Sequence, residues 1–252
     1  MFRPRIIPVL LLKGSGLVKT QQFRKSSYIG DPINSVRIFN DLEADELIFL
    51  DILAAKENRT ISFDLVKQIG DEAFMPFAVG GGIRNLKDAA AMINAGAEKV
   101  VLNTIFIENT EVITEISKTF GNQSVVVSID AKENLFGDYK IYIKDGLKKI
   151  ALHPMIAAKK AEDFGAGEIF LNSITHDGMM QGYDLELIKQ VSESVNIPVI
   201  ACGGAGNLSH MKEAFKNGAN ALAAGSMFVY HGPRKAVLIN YPEKKELISY
   251  FN

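Results

Sequence analysis

Two glycine-rich stretches and a few carboxylates at the ends of apolar runs are where this chain could do chemistry. Gly80, Gly81 and Gly82 precede a polar helix start at Asn85, and Gly203, Gly204 and Gly206 precede Asn207 in the same way. Glycine lets the backbone approach a ligand closely, and the free amides of a following helix N-terminus favour an anion. Asn103 with Thr104, and Gly225 with Ser226, close the next apolar runs and add further donors. Two such sites suit a ligand with a phosphate at each end, and the same glycines also suit plain tight turns between strand and helix. Asp51, Asp130 and Asp177 are the natural acid/base candidates. Asp130 stands out because the run SVVVSID ends in it, with Lys132 just beyond. The single cysteine, Cys202, excludes an internal disulfide and a cysteine-rich metal site. No metal and no cofactor are expected.

The elements that must carry these residues are short and regularly spaced. Apolar runs at 5–12, 46–51, 77–80, 99–103, 124–130, 168–172, 198–202 and 221–224 read as strands. Between them lie amphipathic stretches such as 33–43, 61–71, 85–95, 109–119, 152–164, 184–194 and 207–217. Near-continuous apolar strands covered by helices describe a parallel sheet. Eight such units in 252 residues predict an α/β fold, a single (β/α)8 barrel domain over 1–252. An open doubly wound sheet is the alternative. Two segments break the alternation: a polar loop at 13–32, and 131–150, which alternates like a β-hairpin. Both follow strand ends on the face where barrels keep their active sites.

The barrel is written twice. Residues 76–104 align without a gap on 198–226, with Pro76 on Pro198, Gly81 on Gly203, Gly82 on Gly204, Asn85 on Asn207 and Gly96 on Gly218. IFLD at 48–51 matches IFLN at 169–172, and FDLVKQIG at 63–70 resembles YDLELIKQV at 183–191. A repeated βαβ unit predicts two-fold pseudosymmetry between half-barrels. Laying the first strand on the fifth places position 10 or 11 opposite Asp130, and both are leucine. A mechanism with two carboxylates is therefore short of one partner.

Over essentially its full length the chain resembles the cyclase subunit of imidazole glycerol phosphate synthase, the HisF family. The resemblance rests on RII…LLKGSGLVK at 5–19, GDP at 30–32, ELIFLDI at 46–52, VGGGI at 79–83, VVVSIDAK at 125–132, SITHDGMMQGYD at 173–184 and GGAG at 203–206. It implies a barrel that takes ammonia from a glutaminase and closes an imidazole ring on a bis-phosphorylated ribonucleotide. It makes Asp130 one of two catalytic aspartates, with Leu11 where the other would stand. It makes Lys19 a substrate contact of the first loop, and Gly82, Asn103, Thr104, Asp177, Gly204 and Ser226 phosphate or glycerol contacts. Arg5, Glu46, Lys99 and Glu168 match a charged gate to an ammonia passage, and Glu98 an acidic contact to the glutaminase. Asn172, Thr175 and Cys202 depart from the family, which has threonine, an acidic residue and serine there.

A kept gate beneath an altered active site resembles more closely a divergent, WbuZ-like branch linked to glycosyl amidation. That branch implies ammonia relayed from a glutaminase, in a heterodimer, to an ATP-dependent amidotransferase. The product is an acetamidino group made from an acetamido group on a nucleotide sugar, used in lipopolysaccharide O-antigen synthesis. The alternative is the histidine-pathway cyclase itself. A phosphorylated small molecule is the expected ligand. The net charge of −1 gives no attraction to nucleic acid or an acidic membrane, and no apolar run approaches a membrane span of roughly 20 residues. With no signal-peptide pattern at 1–15, a cytoplasmic location is expected.

Overall fold

The computed structural model describes residues 3–134 and 136–251. Eight parallel strands form its centre: β1 (Arg5–Lys13), β2 (Leu47–Asp51), β3 (Phe77–Gly80), β4 (Lys99–Leu102), β5 (Val125–Glu133), β6 (Glu168–Ser173), β7 (Val199–Cys202) and β8 (Ala221–Ala224). Each pairs with its neighbours in chain order, β8 pairs with β1, and β5 pairs with β6, so the sheet closes on itself as a (β/α)8 barrel. Closure leaves the central strands no unpaired edge.

Side chains alternate between two cores. Ile7, Val9, Ile48, Ala78, Val101, Val126, Phe170, Ile200 and Ala223 point inward and fill the barrel. Ile6, Leu10, Leu47, Phe49, Val100, Ile169 and Leu222 point outward under the helices. This parity explains why the strands carry almost no polar residue until their ends: both faces are buried.

The helices are α1 (Pro32–Asp41), α2 (Phe63–Glu72), α3 (Leu86–Asn94), α4 (Thr104–Glu108), α5 (Glu111–Phe120), α6 (Pro154–Asp163), α7 (Leu185–Ser194), α8 (Leu208–Lys216), α9 (Ser226–Val229) and α10 (Lys244–Phe251). Asn85 caps α3 by accepting from the Asp88 amide at 2.9 Å, and Asn207 caps α8 by accepting from the His210 amide at 3.0 Å. Their backbones agree closely, at φ −158°, ψ 173° and φ −163°, ψ 173°. Ser62 and Asp184 cap α2 and α7, again 122 residues apart. None of the described helices is long and apolar enough to cross a membrane.

Three expectations need correction. The segment 13–32 is no irregular loop: Gly16–Thr20 pairs antiparallel with the end of β1 and with Ser26–Gly30, forming a ribbon. The fifth strand does not end at Asp130 but runs to Glu133, and Tyr139–Ile143 and Lys148–Ile150 extend it to three antiparallel strands, residue 135 lying outside the described residues. Finally, two of the repeat matches are out of register. Cap-to-cap spacing equates Ser62 with Asp184, so FDLV and YDLE are two residues apart in structure. Glu46 and Glu168 bond the same two partners, so Leu50 rather than Asp51 corresponds to Asn172. A one-residue slip would exchange the two faces of a strand.

Candidate active site and the charged ring

A cavity of about 190 Å³ opens at the C-terminal ends of the strands. Strand parity decides what lines it. Leu11 and Leu50 form one wall above Val9 and Val101, while Ser128, Asp130, Asn172 and Cys202 form the other. Asn172 is the register neighbour of Asp130 across β5–β6 and of Cys202 across β6–β7. Leu10 faces the outer core, so Leu11 is the residue that shares the cavity with Asp130.

Asp130 is buried, and its carboxylate accepts from Asn103 Nδ2 at 3.2 Å and Ser128 Oγ at 3.4 Å. Burial pushes its pKa up to about 7, the nearby Asp145 carboxylate adds to this, and the Ser128 hydroxyl opposes it. A carboxyl group near 7 can give or take a proton at neutral pH. Burial pushes the Cys202 thiol upward, so it is protonated and not a thiolate nucleophile.

The first-half anion candidates converge. Gly81, Gly82, Asn103 and Thr104 all line the cavity, beside Arg59 and Arg84. Gly82 has φ +66°, and a Cβ there would fall on the carbonyl oxygen of Arg59, so only glycine fits. Thr104 Oγ1 accepts from the Lys144 amide at 3.2 Å, which ties the end of β4 to the β5 extension. The second half differs. Gly225 lines the cavity, but Gly203, Gly204 and Ser226 do not. Gly204 is backed by the loop after β6, accepting from the Gly182 amide at 2.9 Å, and Ser226 is buried at the start of α9. Lys19 lies over Gly225, and its Nζ donates to Asp177 Oδ1 and to the Thr20 carbonyl, both at 2.9 Å. Of the two glycine turns that the repeat sets in parallel, the first opens to the cavity, and the second lies outside its lining, with the Lys19–Asp177 ion pair beside Gly225.

Sequence reasoning missed Arg59, Arg84, Lys144 and Asp145. The two arginines follow β2 and β3, and their nearness to the glycine turn was a usable signal. Arg59 bonds Asp51 at 2.5 Å, and that contact and one with Glu57 raise its pKa. Lys144 and Asp145 lie in a turn that reaches the cavity only through the folding of the β5 extension. There Asp145 bonds Lys56 at 2.6 Å and Lys144 reaches Glu108 at 3.3 Å.

At the opposite end of the barrel four charges close a ring. Arg5 donates to both Glu46 and Glu168, and Lys99 Nζ donates to Glu46 at 2.9 Å and Glu168 at 3.0 Å. All four sit at or beside the first residue of β1, β2, β4 and β6, on the inward face. Burial works against the charge on Arg5, yet Glu168 and Glu46 together outweigh it and raise the guanidinium above its ordinary value. Glu98, adjacent to Lys99, is exposed on the same face.

Residues 5–233 match the family described as histidine biosynthesis protein. The chain belongs to that family, in its HisF branch. It is 47% identical over 254 residues to "Putative imidazole glycerol phosphate synthase subunit HisF" of Leptospira interrogans, covering 99% of this chain and 100% of that protein. It is 44% identical over 248 residues to "Putative imidazole glycerol phosphate synthase subunit hisF2" of Pseudomonas aeruginosa, covering 98% and 99%. It is 42% identical over 232 residues to "Imidazole glycerol phosphate synthase subunit HisF" of Alkaliphilus metalliredigens, covering 92% of each. Within this HisF-family barrel, the carboxylate that the repeat leads one to expect opposite Asp130 is a leucine.

Proposed function

We propose that this chain is the ammonia-receiving barrel of a glutamine-dependent complex of the imidazole glycerol phosphate synthase type. A glutaminase docks on the face that carries Glu98 and the ring of Arg5, Glu46, Lys99 and Glu168, forming a heterodimer. The ring controls entry to the barrel, and a phosphorylated ligand occupies the open anion site at Gly81, Gly82, Asn103 and Thr104. A cytoplasmic location and one folding unit belong to this reading. The observation that carries it is the closed charged ring beneath a cavity lined by Asp130, in a chain of the HisF family.

Two finer readings follow. In the first, ammonia is passed on to an ATP-dependent amidotransferase that converts an acetamido into an acetamidino group on a nucleotide sugar for surface polysaccharide. Leu11 supports it, because a missing general acid or base typically costs about 10²–10⁴-fold in rate. In the second, the barrel closes the imidazole ring itself, with Asp130 as its one carboxyl catalyst. The names of the relatives favour this reading, and the Asp130 pKa near 7 suits it.

One assay separates them. The purified barrel is given the bis-phosphorylated ribonucleotide and ammonium at alkaline pH, and imidazole glycerol phosphate is measured. Turnover at an ordinary enzyme's rate establishes the cyclase and removes the relay. Absent turnover, with a glutaminase and an ATP-using enzyme captured together by the barrel, establishes the relay. Failure to bind any glutaminase removes the relay and the heterodimer, and leaves ring closure to be decided by turnover with ammonium.

A further inference from the structure

The turn Lys144–Leu147, between the outer two strands of the β5 extension, is held over the cavity by the segments that follow β1, β2, β4 and β6. The Lys144 amide donates to Thr104 Oγ1 at 3.2 Å, and its ammonium reaches Glu108 at 3.3 Å, both beyond β4. A Cβ on Gly146 would lie 3.0 Å from the Phe23 ring of the 13–32 ribbon and 3.8 Å from Ile174, just past β6. Lys56, in the loop after β2, donates to Asp145 Oδ2 at 2.6 Å. Lys144 and Asp145 both have left-handed backbone, at φ 55° and 58°. Such strain lasts only where the surroundings over-determine it, and it gathers at active sites.

Beside Asp130, Asp145 is the cavity carboxylate still able to meet a ligand. Asp51 spends both oxygens on Arg59, and one of them also accepts from the Leu53 and Ala54 amides. Asp177 takes Lys19 on one oxygen and Thr20 on the other. Asp145 lines the cavity, and among the described residues its Oδ1 accepts no hydrogen bond.

Its placement answers the leucine wall. Lys56 follows β2, the strand of Leu50, so the ion pair draws the Asp145 carboxylate toward the side formed by Leu11 and Leu50. Asp130 lies on the other wall and has only neutral donors, the side chains of Asn103, Ser128 and Asn172. Of the charges around Asp130, that of Asp145 acts on it most strongly. The two carboxyl groups are thus set apart. Lys56 favours the ionised form of one, and burial without a cation favours the protonated form of the other.

We infer that Asp145 is a catalytic carboxylate of this cavity, the proton acceptor that works opposite Asp130 as proton donor. The inference rests on the ring-closing reading and gives Asp130 a partner from outside the repeat. Asp145 takes one proton from the bound reactants as Asp130 gives one, and exchange with water returns both to their starting forms. Lys56 is a positioning residue that holds Asp145 ionised.

The test is the ammonium assay with the bis-phosphorylated ribonucleotide, run on the intact chain across a pH series at constant free ammonia. Asp145→Asn should lower kcat by about 10²-fold or more and remove the acidic limb of the pH–rate profile. Asp145→Glu, which keeps a carboxylate, should recover part of the rate. Lys56→Met removes the cation that keeps Asp145 ionised, so the acidic limb should move to higher pH. A merely structural Asp145 would change the rate and leave that limb where it was. Thermal denaturation shows which variants fold, and if Asp145→Asn does not, the limb shift in Lys56→Met decides. An active parent chain whose Asp145→Asn variant keeps its rate and profile overturns the inference and leaves ring closure standing. An unmoved limb in folded Lys56→Met does the same. A parent chain without turnover overturns the ring-closing reading and this inference together.

Discussion

Asp130 stores its proton at a cost to the fold. Its folded pKa of about 7 lies above the roughly 3.9 of an unfolded aspartate. Between those values the folded state binds more protons than the unfolded one, so stability falls as pH rises from about 4 to 7 and is flat on either side. The ceiling on that loss is about 4 kcal/mol. Asp130→Asn should therefore match the parent near pH 4 and melt several degrees higher at pH 8, as thermal denaturation across the pH series would show. A parallel pair of curves would mean that Asp130 is not the titrating group. Leu11→Asp addresses the same wall from the other side. It should raise ring-closing activity at least tenfold over the parent chain in the ammonium assay while lowering stability, because a second carboxyl group enters a largely buried layer. Gly82→Ala should weaken phosphate binding sharply, since the added methyl meets the Arg59 carbonyl and the backbone must move.

At the scale of elements, the caps are the most repeatable feature of the molecule. Asn85→Ala and Asn207→Ala should each cost about 1 kcal/mol, or about 2–4 °C in melting temperature, and the two losses should add because the helices lie in different halves. The strands and most helices were legible in the sequence for a physical reason: strands buried on both faces are nearly unbroken apolar runs, and helices between them carry one apolar stripe. The 13–32 ribbon was not legible. Its Gly16–Thr20 strand pairs with the projecting end of β1, a contact that local polarity does not reveal. The β5 extension was read as a hairpin, but its role in bringing Lys144 and Asp145 to the cavity depends on long-range pairing. For the site, the glycine turn of the first half that lines the cavity and the isolation of Asp130 were readable from the repeat. The closure of the second half was not, because it depends on where Lys19 and the loop after β6 come to rest. Two of the repeat matches misled for the opposite reason: similar letters were aligned without the parity that only a strand's two faces impose.

Across the whole molecule, the charged ring ties together strands that are far apart in sequence, since Arg5 and Glu168 are joined across the barrel. Removing one member leaves two carboxylates sharing a single cation in a partly buried site. Lys99→Met should cost about 1–3 kcal/mol, below the 3–5 typical of a fully buried pair because the Arg5 side chain is one-third exposed. Pairing it with Glu46→Gln should recover part of that loss, and a double-mutant cycle by thermal or urea denaturation would measure the coupling. Simple additivity would show that the four charges do not act as a unit.

Strict alternation of sign around a closed loop also governs what can stand at its centre. The two positive and two negative arms nearly cancel on the axis, so the middle of the ring is electrically quiet although charges surround it. An ion of either sign would shed its water there and find no net attraction in return. A small uncharged molecule gives up far less hydration to occupy the same place. In the proposed gate such a ring would discriminate by charge rather than by size, although it is built from the groups usually taken to attract ions.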